Sequence, residues 1–316
     1  MLRSRIAGTG SSVPSKILTN AELEGMVDTS DEWITSRTGI KERRIAGEDE
    51  LPSTLSTRAA LDALSMASIT PEDLDLIIVA TVTPDMVFPS TACFVQNNIK
   101  AVNAAAFDVS AACSGFLYAL DIGDRYIRSG GMKNILVIGV DFFSRIINWQ
   151  DRNTCVLFGD GAGAVVLVRE DGDRGVLSTH IHSNGEAWET LYAPLNGTNG
   201  EGKVVMNGNE TFKVAVRSME DAAVEALSYN NVTGDDLTLF IPHQANARII
   251  KATAQRLNLS MEKVFMNVDK YGNTSSASIP LALNEALRLG RIKEGDLLLM
   301  VTFGGGLTWA SSLVRW

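Results

Sequence analysis

Short, uninterrupted apolar runs alternate along the chain with stretches whose apolar positions recur every three or four residues. The runs are 75–83 (DLIIVATVT), 134–140 (NILVIGV), 164–168 (AVVLV), 237–242 (LTLFIP) and 296–303 (DLLLMVTF). Apolarity without polar alternation belongs to strands covered on both faces. The stretches 56–68, 115–130, 212–230 and 279–290 carry helical spacing. Strand and helix in alternation predict an α/β fold with largely parallel sheets.

The pattern repeats. The apolar runs opening at Leu74 and Leu237 stand 163 residues apart. So do the Ala-Leu pairs at Ala119 and Ala282, and the strand openings at Asn134 and Leu297. Farther on, GDGAGAVVLVR resembles GGLTWASSLVR at a shift of 146, which places a 17-residue insertion around FFSRIINWQDRNTCVLF in the first half. Four matches in one order predict a duplicated chain, with halves 1–170 and 171–316 packed about a pseudo-twofold axis. Ligands in α/β folds bind beyond strand C-termini, so the site is expected between the halves.

Composition adds limits. The 316 residues suffice for a large core. Hydrophobic residues make up 45% and charged residues 21%, as in a globular enzyme. A net charge of −9 argues against general nucleic-acid binding. No apolar run reaches the length of a membrane span, and the N-terminal stretch lacks the apolar segment of a signal peptide. The 3 cysteines, Cys93, Cys113 and Cys155, fit free thiols in a reducing cytoplasm. With 3 histidines, no CxxC and no HExxH, neither a metal site nor a cofactor is expected.

Candidate chemistry centres on VSAACSGFLYALD. Cys113 stands among Ala111, Ala112, Ser114 and Gly115, where an apolar helix begins. A helix N-terminus offers unpaired N–H groups and partial positive charge, which lower a thiol pKa and stabilise an acyl oxyanion. Packing is nevertheless the commoner use of such a cysteine, and Cys93 and Cys155 are read that way. The repeat pairs Cys113 with Ser276 in GNTSSAS, a second loop-to-helix junction facing the same axis. His243, in IPHQAN, is the only histidine at a strand C-terminus; His180 and His182 alternate on a strand and read as surface or packing residues. Asn273 sits in a Gly-Asn turn, where a plain turn or cap is its commonest use. FGGGLTWASS brings backbone N–H groups close to any ligand beside it. Together these residues compose a nucleophile, polar partners and a candidate oxyanion hole.

The stretches VSAACSGFLYAL, FGDGAGAVVL, IPHQANARII, GNTSSASIPLAL and FGGGLTWASSLVRW, with VDTSDEWITSRTGIKERR near the start, resemble β-ketoacyl-acyl-carrier-protein synthase III of the thiolase superfamily. The resemblance spans the chain. It implies a thiolase-like duplicated αβαβα layered fold and a homodimer. It also implies decarboxylative Claisen condensation of an acyl-CoA, acetyl-CoA by first choice, with malonyl-acyl carrier protein (ACP), the step that starts fatty-acid synthesis. Cys113 would carry the acyl group, the Cys113 and Gly305 N–H groups would form the oxyanion hole, and His243 and Asn273 would stabilise the malonyl-derived enolate. His243 would also help activate Cys113. Trp33 and Arg152 would sandwich the CoA adenine, with Thr29 and Arg37 at the nucleotide end and Gly208 and Asn246 along the pantetheine tunnel. Asn153 stands where many relatives have Gly. Phe88 would reach across the dimer to limit acyl length. Lys213, Arg217, Gln244, Arg248, Lys251 and Arg256 would form the docking patch for the acidic carrier protein. Two rivals share these residues: a condensing enzyme of secondary metabolism and a cysteine hydrolase. The CGSCW signature of papain-type hydrolases is missing, which counts against the second. A third reading makes the chain a binding module in which these residues are only structural.

Overall fold

The computed structural model describes residues 2–195 and 202–316. Its elements run β1 (Leu2–Ser12), β2 (Lys16–Thr19), α1 (Asn20–Glu24), α2 (Asp31–Thr38), β3 (Glu42–Ile45), α3 (Pro52–Ala67), β4 (Leu76–Ala80), α4 (Thr91–Ile99), β5 (Ala105–Val109), α5 (Gly115–Arg128), β6 (Asn134–Phe142), α6 (Arg152–Cys155) and β7 (Asp160–Asp171). There follow β8 (Gly175–Ser183), β9 (Leu191–Tyr192), β10 (Val205–Met206), α7 (Gly208–Tyr229), β11 (Leu239–Pro242), α8 (Ala247–Arg256), α9 (Val268–Tyr271), α10 (Ser278–Arg288), β12 (Leu297–Gly304) and β13 (Thr308–Arg315).

Two sheets organise the molecule, in the orders β1-β7-β6-β4-β5 and β8-β13-β12-β11. The sheets are mixed, not largely parallel as the alternation predicted. Pairs β4–β5, β4–β6 and β11–β12 are parallel, whereas β1–β7, β6–β7, β12–β13 and β13–β8 are antiparallel. No crossover helix separates β12 from β13. Residues 305–307 turn the chain back at once, so the pair is antiparallel. The 163-residue spacing recurs at the starts of β4 and β11, β6 and β12, and α5 and α10.

The continuous apolar runs follow from burial on both faces. In the first sheet Ile77, Val79, Leu136 and Ile138 share a cluster with Ala59, Ala63 and Val95 of α3 and α4. The alternate residues Leu76, Ile78, Ile135 and Val137 pack with Leu117 and Leu120 of α5 and with Ala282 and Leu283 of α10. That same central cluster takes Leu298 and Met300 of β12, whereas Leu297, Leu299 and Val301 pack with Met219 and Ile250 of α7 and α8. The layers therefore run helix, sheet, paired α5 and α10, sheet, helix. Strand β7 extends beyond its apolar run through Gly161 and Gly163, because α10 lies directly on it; a Cβ at Gly163 would stand 2.8 Å from Leu281 N. Among the described residues no helix is long and apolar enough to cross a membrane.

Candidate active site

Two turns of helix meet at the centre. Ala112–Ser114 precedes α5 and Ser275–Ala277 precedes α10, with Ala112 (φ 46°) and Ser275 (φ 53°) both in the left-handed region. Such angles cost non-glycine residues about 1–3 kcal/mol, so neighbours must hold them. One holder is Asp141 at the end of β6. Its carboxyl oxygens accept the Val82 N–H at 2.8 Å and the Ser276 N–H at 3.1 Å, with the Thr81 and Thr83 hydroxyls at 3.1 Å each. Gly139 permits the approach, since a Cβ there would stand 2.2 Å from Ser276 O. On the other side Thr302 Oγ1 donates to Cys113 O at 2.9 Å, and Gly304 lies so close that a Cβ would be 2.7 Å from Cys113 N.

Cys113 is buried, and Ser275 Oγ lies 3.4 Å from its sulfur. Burial pushes the thiol up to about 12; the Ser275 hydroxyl opposes this and the nearby Asp141 carboxyl adds to it. The lowered pKa expected at a helix entrance is therefore overturned. The residue lies one turn before α5 and is buried, and burial is the largest cause of the rise. All three cysteines are free, with Cys113 and Cys155 buried and Cys93 half-buried.

His243 follows β11, its N–H on Val301 O at 2.8 Å. Its Nδ1 is 2.9 Å from Ser278 Oγ, and burial depresses the imidazole to about 3, so the ring is neutral at physiological pH. Asn273 bonds through its backbone to the insertion: its N–H donates to Leu157 O at 2.8 Å and its carbonyl accepts from Gly159 at 3.0 Å. Its Oδ1 accepts the Ser275 N–H at 2.9 Å, which leaves the amide Nδ2 as the donor toward open space.

Cys113, His243 and Asn273 line one cleft of about 620 Å³, together with Trp33, Arg37, Asn153, Gly208, Lys213, Asn246, Arg248 and Phe303. A second, apolar chamber of about 260 Å³ shares the Cys113 wall; Val82, Phe143, Ile146, Trp188, Gly305 and Gly306 help enclose it. The two cavities thus bring Cys113, Gly305, His243 and Asn273 together with Trp33, Arg37, Gly208, Lys213, Asn246 and Arg248. At the cleft mouth the Arg37 and Arg152 guanidinium groups lie 4.7 and 4.8 Å from the Trp33 ring centre. Arg152 is further held by Asp28 O at 2.9 Å. Arg152 therefore rests on the indole, leaving no gap between them for a base. Asn246 also caps α8, accepting the Ile249 N–H at 2.9 Å.

Other positions lie elsewhere. Thr29 does not line the cleft, and its buried hydroxyl has no partner among the described residues. Phe88 is 82% exposed and lines neither cavity, beside exposed Met86 and Val87. Gln244 is corrected: it is 1% exposed, donates to Pro242 O and Phe265 O, and accepts from Asn267 N, so its side chain ties loops together and presents nothing to a partner. Lys213, Arg217, Arg248, Lys251 and Arg256 are exposed on the adjacent helices α7 and α8. Three have acidic neighbours: Lys213 with Glu210, Arg217 with Asp221 and Arg256 with Glu220. His180 and His182 both pair with Glu225 and line neither cavity, His180 mostly buried against Tyr229 and His182 partly exposed. Among the described residues no group of three metal-ligating side chains comes together.

Sequence reading missed Asp141, Ser275, Ser278 and Phe303. The two serines stand in the same small-residue stretch as Asn273, where spacing alone does not separate a polar partner from a turn former.

Residues 107–185 match the family 3-oxoacyl-(acyl-carrier-protein, ACP) synthase III, and residues 227–316 match its C-terminal domain. Over 99% of this chain and 98% of the relative, the sequence is 53% identical to a β-ketoacyl-(acyl-carrier-protein) synthase III of Xanthomonas campestris pv. campestris. A protein of the same name from Caldanaerobacter subterraneus subsp. tengcongensis is 54% identical over 98% of this chain and 97% of its own. The crystal structure of 3-oxoacyl-(acyl-carrier-protein) synthase III from Aquifex aeolicus VF5 superposes with a TM-score of 0.96 at 55% identity, covering 99% of this chain and 100% of that one. Together, full-length identity above one half and the same fold place this chain in the 3-oxoacyl-(acyl-carrier-protein) synthase III family.

Proposed function

We propose that the protein condenses an acyl-CoA with malonyl-ACP to give 3-oxoacyl-ACP, CO2 and CoA, the step that initiates fatty-acid synthesis. One observation carries this reading. Cys113 lines both the cleft that holds His243 and Asn273 and a more apolar chamber beside it. An acyl thioester on Cys113 then has its chain in the chamber and its carbonyl at the cleft floor.

In the first half-reaction the Cys113 sulfur attacks the thioester carbonyl. The new S–C bond forms, the bond to CoA sulfur breaks, and the thiol proton leaves with CoA. The N–H groups of Cys113 and Gly305 hold the oxyanion. Burial raises the thiol, so its deprotonation accompanies attack and the proton passes to the departing CoA sulfur. In the second half-reaction malonyl-ACP enters the emptied cleft and loses CO2. The electron pair of the breaking bond becomes an enolate whose charge lies on the thioester oxygen. His243 Nε2–H and Asn273 Nδ2–H donate to that oxygen. The enolate carbon attacks the acyl-Cys113 carbonyl, and the Cys113 sulfur leaves and takes a proton from solvent, which restores the thiol. Both donors are neutral, which suits a charge that exists only during reaction.

Trp33, Arg37 and Arg152 recognise the nucleotide of CoA at the cleft mouth, with Thr29 behind them. Base binding displaces Arg152 from the indole. Gly208 and Asn246 flank the pantetheine path. Lys213, Arg217, Arg248, Lys251 and Arg256 on α7 and α8 attract the acidic carrier protein. Strand β5 is a sheet edge and Phe88 is exposed; both support a homodimer in which Phe88 caps the partner's acyl chamber. CoA and carrier thioesters, with three free thiols, support a cytoplasmic enzyme. Incubation with labelled acetyl-CoA and malonyl-ACP tests the reading. Acetoacetyl-ACP and CO2 are expected, and release of acetate alone would defeat it.

A further inference from the structure

Which ring nitrogen of His243 carries the proton decides whether the cleft holds a donor or an acceptor. Nδ1 faces Ser278 Oγ at 2.9 Å, so Nε2 is the nitrogen that faces the cleft. Ser278 is buried at the start of α10, and its Oγ also accepts the Gln244 N–H at 2.7 Å. A serine oxygen has two lone pairs and one proton. The Gln244 N–H takes one lone pair. If His243 Nδ1–H took the other, the serine proton would need a third partner. Among the described residues Ser278 Oγ has hydrogen-bond contacts only with His243 and Gln244. A buried hydroxyl without an acceptor is costly. The alternative satisfies every group: Ser278 O–H donates to Nδ1, and the imidazole proton sits on Nε2.

We propose that Ser278 is a positioning residue that fixes His243 as the Nε2–H tautomer, making it a hydrogen-bond donor to the cleft. The proposal rests on the reading of His243 as an enolate donor. It adds that the backbone N–H of Gln244, by occupying one serine lone pair, orients the serine proton toward the ring. The next residue in the chain thus sets the protonation site of the histidine before it.

Nitrogen-15 NMR of histidine-labelled protein tests this without a variant. Wild type is expected to show a protonated-type Nε2 and an unprotonated-type Nδ1 for His243, assigned with His180→Gln and His182→Gln. A protonated Nδ1 overturns the proposal. In Ser278→Ala the two tautomers are expected to mix, and malonyl-ACP decarboxylation to fall about tenfold or more, as where a catalytic histidine loses its tautomer partner. Ser278→Thr, which keeps the hydroxyl, is expected to restore both. An unchanged tautomer in folded Ser278→Ala also overturns the proposal. If instead the tautomers mix and decarboxylation stays at the wild-type rate, Ser278 is confirmed as the tautomer lock and the enolate-donor reading of His243 fails.

Discussion

The Ser275 hydroxyl lies 3.4 Å from the Cys113 sulfur, across the axis that relates the two helix-entry turns. It is the main group that counters burial at the thiol. A hydroxyl donating to sulfur stabilises the thiolate, so its removal raises an already high thiol pKa. For Ser275→Ala the pH–rate profile of Cys113 alkylation should move to higher pH. The rate near neutrality should fall about fivefold, the equivalent of one hydrogen bond of ~1 kcal/mol. The Asn273 contact is retained, because it uses the Ser275 backbone N–H. An unshifted profile would remove Ser275 from any role in tuning the nucleophile.

His243 makes a prediction about stability. Burial holds its folded-state pKa at about 3, below the ordinary value of 6.5. The folded protein therefore stays unprotonated there while the unfolded chain takes up a proton. Stability associated with this residue is complete above 6.5 and is lost as pH falls toward 3. From about pH 7 to about pH 5 the loss amounts to about 2 kcal/mol. Urea unfolding should show that fall in wild type and a correspondingly flatter profile in His243→Gln. Parallel profiles would mean that His243 binds a proton equally in both states.

The fold was legible because burial on both sheet faces removes polar alternation, leaving runs such as 134–140 that read as strands with no structural knowledge. The 163-residue spacing was legible for the same reason, and it located Cys113 opposite Ser276 before any distance was known. Sheet direction was not, because β13 (TWASSLVR) carries no continuous apolar run to mark it as a strand; once it is placed three residues after β12, too few for a crossover, the pair is antiparallel. The raised Cys113 thiol was also invisible. Local position at a helix start is written in the sequence; burial of the thiol and the approach of the Asp141 charge are made only by folding. Gln244 misled for a related reason: a polar residue beside arginines on a presumed helix face is in fact wholly enclosed.

Trp33 stacks with both arginines at the cleft mouth. Trp33→Ala should raise KM for acyl-CoA about fivefold to tenfold, the loss expected of an aromatic and cation stacking contact. KM for malonyl-ACP, which carries no adenine, should change much less. Steady-state kinetics with each substrate varied in turn decides this. An equal rise for both would show that Trp33 shapes the cleft without recognising the nucleotide.

The apolar chamber of about 260 Å³ is larger than an acetyl group needs; a cavity of about 150 Å³ already accepts benzene. Phe88, exposed in the single chain, is the side chain expected to shorten it from a second copy. Phe88→Ala should shift the acyl-CoA preference toward longer chains, each newly buried methylene adding about 0.8 kcal/mol, about fourfold in kcat/KM. Initial rates across an acyl-CoA length series measure the shift, and an unchanged optimum would take Phe88 out of the chamber.

Carrier-protein docking is tested away from the cleft, at Arg217 on α7 and Lys251 on α8. Both are exposed, and neither lines the cavity that holds Cys113. Arg217 has only a loose partner, Asp221 at 3.8 Å between two well-exposed side chains, so its charge is available to an acidic surface. Arg256, by contrast, is engaged with Glu220. Reversing both charges, as Arg217→Glu with Lys251→Glu, replaces attraction by repulsion at the rim. Rim charges act mainly on encounter rate, and that effect is screened by salt. The double variant should therefore show kcat/KM for malonyl-ACP reduced about tenfold at low ionic strength, with the deficit shrinking as salt rises. Transfer from acyl-CoA to Cys113, which involves no carrier protein, supplies the internal comparison. A deficit that persists undiminished in high salt, or one shared equally by the acyl-CoA half-reaction, would place the carrier protein on another face of the molecule.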